Sequence, residues 1–336
     1  MILARPLALA ALALTLAGAL TAAHGHAQQE GTVRASIRMG TPGLPVPEGV
    51  EAQLIVLAAG GGLTTIDGRM EGADARFEVV PDAQSSYLVR VVYAGVQYLS
   101  TPLLLSPDLP DADVEITIFE PTDERPALTL DSSVATVLAL DRAAAQLTLV
   151  REDIVRNPSD RVYVGDDQGV TLRLPLPDGV VEAGGTGPEG DYRVDGQTIV
   201  TTIPLRPGAN QIVTRYVVSY DPADNAYALR LTAPLPTERM EIAVPARFIE
   251  ALEPLAGAER VDDRTLEGET LSVVALPGLA APGDSAVASL RGLAGRTRVN
   301  PLTDRPGVVL AALLAVAIVA GGALALVRAR TAGPAA

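Results

Sequence analysis

The sequence predicts an all-β protein: two tandem β-sandwich domains followed by one C-terminal transmembrane helix. Three observations carry the prediction. Short apolar runs, several with period-two alternation, recur between residues 31 and 276 and are separated by Gly, Pro and Asp clusters. A polar, Pro-flanked stretch, Pro121 to Pro126, divides that strand-rich part in two. Two uncharged apolar stretches stand at the ends of the chain.

Residues 1–27 read as a secretory signal peptide. Arg5 supplies the positive start, and Leu7 to Leu20 is an uncharged run of mostly Ala and Leu. Gly25-His26-Ala27 suits a small-x-Ala cleavage site, and Thr21-Ala22-Ala23 is an alternative. The apolar run is short for a membrane anchor.

Residues 308–327 read as the transmembrane helix. Val308 to Val327 holds 20 residues without a charge, enough as a helix to cross about 30 Å of hydrocarbon. No polar face exists, which argues against a buried core helix. Arg328 and Arg330 follow at once, so residues 328–336 are expected to be a cytoplasmic tail. The expected topology is single-pass, type I, at the cell membrane, with the bulk of the chain outside and the lipid bilayer as a partner. Ala317, Gly321 and Ala325 form a small-xxx-small stripe suited to helix pairing. Asn300-Pro301-Leu302-Thr303 resembles a sortase sorting signal, but Asp304 stands where Gly is expected, which favours a plain anchor.

The first domain spans residues 31–120. Its expected strands are Thr32 to Arg38, Val50 to Ala58, Arg76 to Val80, Tyr87 to Tyr93, Val96 to Leu104 and Val114 to Phe119. In Tyr87 to Tyr93 the odd positions share one face, and the face with Arg90 is expected to point outward. Gly60-Gly61-Gly62 reads as a hairpin turn, since neither the Lys nor the helix of a phosphate loop is present.

Several residues of this block match a known pattern: Gly31-Thr32-Val33, Leu44-Pro45-Val46-Pro47, Thr64-Thr65 with Gly68, Ala75-Arg76-Phe77, and Tyr87-x-Val89-x-Val91 followed by Gly95. On these the block resembles the carboxypeptidase regulatory-like, or transthyretin-like, domain of secreted bacterial proteins. The usual Asp-Gly-Arg-Phe turn is interrupted, because Asp67-Gly68-Arg69 and Arg76-Phe77 are separated by an insertion. The resemblance implies a seven-stranded Greek-key sandwich, used as a structural or interaction module without catalytic residues of its own.

The second β-sandwich is expected over residues 127–276. Its strands are read at Leu128 to Leu140, Ala144 to Arg156, Arg161 to Val164, Val170 to Leu174, Thr198 to Leu205, Asn210 to Tyr220, Ala226 to Ala233, Arg239 to Val244 and Leu271 to Leu276. Ile212, Thr214, Tyr216 and Val218 make one alternate face; Ile199, Thr201 and Ile203 make another. The stretch with Gly184, Gly185, Gly187 and Gly190 reads as a loop tip, and Phe248 to Leu255 as a short helical turn. Residues 277–307, rich in Gly, Ala and Pro, read as a stalk lifting the domains from the membrane.

Composition then bounds function. Cys and Trp are both 0, all 26 basic residues are Arg, and the 2 His are His24 and His26, inside the signal peptide. The exported part is thus without thiol or imidazole chemistry, a Walker A lysine, a Ser-Lys dyad or a Schiff-base lysine. Between the two apolar ends 23 Arg face 40 acids, a net charge of −17, which repels phosphate backbones and excludes nucleic acid as a partner.

What remains are carboxylates. Asp108, Asp111 and Asp113, then Asp166 and Asp167, then Asp221, Asp224 and Asn225, and finally Asp262 and Asp263 cluster in turns, and hard oxygens of this kind bind calcium. None has the spacing of an EF-hand loop, and Asp and Asn are ordinary turn residues. A glycosidase pair is disfavoured by the scarcity of aromatic platforms: no Trp, 8 Tyr and 3 Phe. Asp131-Ser132-Ser133 lacks the Gly of an aspartic-protease motif. Tyr93 and Tyr98 flank a turn and are read as core tyrosines rather than an exposed partner anchor. No residue is therefore assigned as catalytic, cofactor-binding or metal-ligating. The expected function is a non-enzymatic structural or protein-interaction module at the cell envelope, with an envelope protein as partner. Two alternatives stand beside it: an accessory subunit of a membrane complex, and a carboxylate- or metal-dependent envelope hydrolase.

Overall fold

The computed structural model describes residues 30–186 and 191–294. The expected signal peptide with its cleavage sites, the membrane span, the sortase-like sequence and the tail all lie outside these residues. Within them the protein is all-β, and no helix is long and apolar enough to cross a membrane. The fold divides into two compact units. Of the described residues, one takes in 30–37, Val50–Val91 and Tyr98–Ile116; the other takes in Arg38–Gly49, Val92–Gln97 and the described residues from Thr117 onward.

Eight strands build the first part of the chain: β1 (Gly31–Met39), β2 (Glu51–Leu57), β3 (Leu63–Asp67), β4 (Arg69–Glu71), β5 (Asp74–Val79), β6 (Ser86–Tyr93), β7 (Val96–Leu99) and β8 (Ala112–Ile118). They form two four-stranded sheets, ordered β4-β5-β1-β8 and β3-β2-β6-β7. Alternation decides which side chains go inside. Val33, Ala35 and Ile37 of β1 are buried, and antiparallel register sets Val33 beside Phe77 and Ala35 beside Ala75 of β5. On β6 Tyr87, Val89 and Val91 are buried and Arg90 lies on the opposite face, as the alternation predicts.

The insertion in the turn motif is a hairpin. Arg69 pairs with Arg76 and Glu71 with Asp74, so β4 and β5 fold back on each other. Gly68 still meets the Phe77 ring, and a Cβ on Gly68 would stand 2.7 Å from it. Two strands escape the sequence reading. β3 has both faces largely exposed, and β4 has only 3 residues, too few to show a period. The strand read from Val96 to Leu104 stops at Leu99.

Fifteen further strands follow, among them β9 (Pro121–Thr122), β10 (Thr129–Asp141), β11 (Gln146–Asn157), β12 (Val162–Tyr163), β13 (Leu172–Pro175), β14 (Val180–Gly185), β15 (Tyr192–Asp195) and β16 (Thr198–Thr201). The remainder are β17 (Gly208–Ser219), β18 (Ala226–Thr232), β19 (Met240–Pro245), β20 (Ala251–Leu255), β21 (Glu259–Leu266), β22 (Glu269–Leu276) and β23 (Ser285–Arg291). Seven of them make one sheet, ordered β14-β17-β11-β10-β19-β22-β21. Only the β10–β19 pair of this sheet is parallel. Two three-stranded sheets, β13-β16-β15 and β18-β23-β20, supply the other inner faces. One apolar core joins them, from Leu130 and Leu147 on the large sheet to Leu229, Ala288 and Leu290 on the small one.

Three expectations are corrected here. Residues 277–307 are not a stalk throughout: Ser285–Arg291 is β23, the central strand of its sheet, with Ala286, Ala288 and Leu290 at 0% exposure. Small side chains there let neighbouring elements approach closely, and in sequence that composition imitates a linker. The helical turn at Phe248 to Leu255 is instead a turn followed by β20, which pairs with β23. Gly184 and Gly185 of the expected loop tip end β14, while Gly187 and Gly190 lie outside the described residues. The Pro121–Pro126 stretch is also tied at its start, because Pro121 and Thr122 pair in parallel with Val162 and Tyr163.

Candidate functional site

The long strands β10, β11 and β17 lie side by side and aim alternate residues at the core. On β11 Leu147, Leu149, Arg151, Asp153, Val155 and Asn157 all point inward. Register places Arg151 between Ala135 of β10 and Thr214 of β17, and Asp153 between Ser133 and Ile212. A charged pair thus sits in the middle of an otherwise apolar face. Arg151 is 1% exposed and Asp153 0%.

The pair is bidentate. Arg151 Nε donates to Asp153 Oδ2 at 2.8 Å and Nη2 donates to Oδ1 at 3.0 Å. Burial alone pulls the guanidinium pKa down, but the Asp153 carboxylate and the Tyr216 hydroxyl outweigh it, and the net shift is upward. Thr214 Oγ1 and the Tyr216 hydroxyl share a hydrogen bond of 2.7 Å. Burial pushes the Tyr216 phenol up, so it stays neutral at ordinary pH. Tyr192 lies close to this group and burial pushes its phenol up to about 12. Arg151 Nη1 and Ser133 Oγ are buried without a hydrogen-bond partner.

Beside Arg151 is a cavity of about 10 Å³, lined in part by Ala135, Leu149, Pro175, Tyr216 and Leu229. That is room for a single water-sized sphere and for no organic substrate. With both charges neutralised by each other and closed off, the centre holds the sheet interior in one arrangement. Both Asp153 oxygens accept from Arg151, so the carboxylate is engaged rather than free.

Several side chains of the acidic turns predicted from sequence are engaged by backbone N–H groups or arginines. Asp166 Oδ1 accepts from the Gln168 and Val170 backbone N–H groups, both at 3.0 Å, and these bonds hold its pKa below the usual value. Asp111 accepts from Thr32 N–H, and Asp113 lies 4.0 Å from Arg34. Asp221 accepts from Ala223 N–H, Asn225 from Ala294 N–H, and Asp263 from Arg260. Among the described residues no three His, Cys, Asp or Glu side chains gather as a metal would require. Asp131 accepts from Arg156, with Ser132 and Ser133 buried behind it. Tyr98 is buried, whereas Tyr93 is partly exposed and donates to Glu120 at 2.6 Å.

Sequence reasoning missed Arg151 and Asp153. The signal was present: both share the parity of Leu147, Leu149 and Val155 in an alternating strand. Glu152 and Arg156, of opposite parity, made the stretch look evenly charged.

No protein-family profile matches the chain, and neither does any curated protein. Among solved structures it is similar to M1 zinc metallopeptidases. A mutant of the Deinococcus radiodurans enzyme bound to a Tyr-Ser-Ala substrate matches at TM-score 0.32 and 12% identity, over 49% of this chain and 42% of that one. The unmutated Deinococcus radiodurans enzyme matches at TM-score 0.32 and 11% identity, over the same shares. A two-domain M1 mutant bound to L-tryptophan matches at TM-score 0.31 and 12% identity, over 49% of this chain and 43% of that one. The chain spans about two fifths of the length of these peptidase chains.

Proposed function

We propose that this is a single-pass, type I membrane protein. Its two β-sandwich domains stand outside the cell, the first transthyretin-like, and they act without catalysis as an interaction module at the cell envelope. The observation that carries the reading is the uncharged run Val308 to Val327 followed at once by Arg328 and Arg330. The composition supports it, since the exported part has no Cys, His, Lys or Trp. For the first domain, the contact of Gly68 with Phe77 supports the motif on which the resemblance rests. An acidic exterior suits a soluble ectodomain that meets a protein partner rather than a polyanion.

Protease treatment of intact cells tests the topology. Removal of nearly all of the mass is expected, and full protection in cells with an accessible envelope overturns it. Capture of partners with full-length protein and with a chain lacking 308–327 then separates two roles. A surface-binding module keeps its partner without the helix; a subunit held through Ala317, Gly321 and Ala325 loses it.

A further inference from the structure

The polar centre of the second unit has one donor to spare. Arg151 commits Nε and Nη2 to Asp153, and its Nη1 is buried without a hydrogen-bond partner. A guanidinium N–H buried in this way costs free energy unless something accepts from it. The same side chain lines the cavity of about 10 Å³.

Two backbones turn polar groups toward that cavity. Ala233 N–H donates to the Asp284 carbonyl and Gly292 N–H to the Asn225 carbonyl, so the odd-numbered residues of β18 bond to β23. Arg230 has the other parity, directs its N–H and C=O away from β23, and lines the cavity. On β13, Leu176 N–H donates to the Gln197 carbonyl, which gives the even-numbered residues to β16. The carbonyl of Pro175, another lining residue, therefore points away from β16. Tyr216, whose hydroxyl shares its hydrogen bond with Thr214, forms a further wall.

Size and charge select the ligand. An internal water needs roughly 10–15 Å³ of this kind of space and two to four polar partners. The cavity meets the first condition at its lower limit, and Arg151 with the two backbones meets the second. An anion finds no uncompensated charge, because Asp153 already balances Arg151.

We propose that this cavity is a binding site for one internal water, which accepts from Arg151 Nη1 and donates to the carbonyls of Pro175 and Arg230. The water completes the coordination of the buried guanidinium. It also ties three sheets together, because Arg151 stands on the seven-stranded sheet, Pro175 on β13-β16-β15 and Arg230 on β18-β23-β20. The site does not depend on where the protein resides or on what it binds.

Oxygen-17 relaxation dispersion of the full-length protein tests the proposal, since it counts internal waters that exchange as whole molecules. Ala135 lines the cavity directly opposite Arg151, and Ala135→Val extends it into the space. That variant is expected to lower the count by one. Arg151→Met/Asp153→Leu removes the donor and is also expected to lower it by one, and it carries the test alone if Ala135→Val does not fold. Glu152→Gln, on the opposite face of β11, is expected to leave the count unchanged. An unchanged count in a folded variant of the first two overturns the proposal. So does a loss of two or more waters, or an equal loss in Glu152→Gln.

Discussion

The two units bury their interiors differently. Apart from Ser85, the buried residues of the first unit are apolar, and the longest of its strands has 9 residues. The second unit carries strands of 13, 12 and 12 residues and buries Arg151, Asp153 and Thr214 among leucines and valines. Length is the difference that matters. A long strand places its middle residues far from water at either end, and there a charge survives only with a partner in full contact. The first unit has no such distance and uses no such pair.

The largest effect is therefore expected at that pair. Asp153→Ala leaves Arg151 buried and uncompensated and should lower stability by about 4 kcal/mol in denaturant unfolding. Replacing both, as Arg151→Met with Asp153→Leu, should recover most of it, because neither charge then needs a partner. In the first unit the equivalent blow is the loss of packing alone: Phe77, 1% exposed, is expected to cost about 3 kcal/mol as Phe77→Ala. A recovered double variant distinguishes the two interiors; if Arg151→Met/Asp153→Leu is as unstable as Asp153→Ala, the centre does more than compensate charge.

Alkali should weaken the second unit by a smaller amount. The folded pKa of Tyr192 is raised from 10.0 to about 12, so the unfolded chain releases this proton first as pH rises. Stability is then full below pH 10 and falls on the order of 1 kcal/mol by about pH 12, with solvent screening allowed for. Denaturation midpoints of the parent and Tyr192→Phe across that window check it, since the variant should lose only the part due to other groups.

Two hairpins offer a gain. Ala94-Gly95 joins β6 to β7 and Glu267-Gly268 joins β21 to β22, with φ of 47° and 50° at the first turn residue. Such two-residue turns favour Asn there, so Ala94→Asn and Glu267→Asn should each add about 0.5 kcal/mol to unfolding stability.

The smallest effects concern two exposed turn carboxylates, Asp82 near β6 and Asp166 after β12. Asp82 is held low chiefly by Ser85 and the Gln84 N–H, Asp166 by the Val170 and Gln168 N–H groups. A depressed folded pKa means stability contributed above the ordinary carboxylate range and lost as pH falls through the lower folded value. Carboxyl NMR titrations should place both midpoints below the ordinary aspartate value of about 3.9, and midpoints at that value would remove the turn bonds from the account.

Much of this fold was legible in the chain. Alternation in Tyr87 to Tyr93 and in Ile212 to Val218 is local, and it assigned the buried faces of β6 and β17. Turn clusters located most strand ends to within a few residues. β23 was not legible, because Ser-Ala-Val-Ala-Ser-Leu-Arg in a Gly- and Pro-rich setting has the composition of a linker. Nor was the polar centre, which depends on the register of three strands.

The sequence by itself determined the alternation of strands and turns, the acidic balance and the missing catalytic residue types, because each is a property of neighbours along the chain or of composition. Only the tertiary structure decided that Ser133, Ala135, Arg151, Asp153 and Thr214 share one interior. Strand partners are chosen across long sequence separations, and a shift of one residue would send every one of those side chains to the other face.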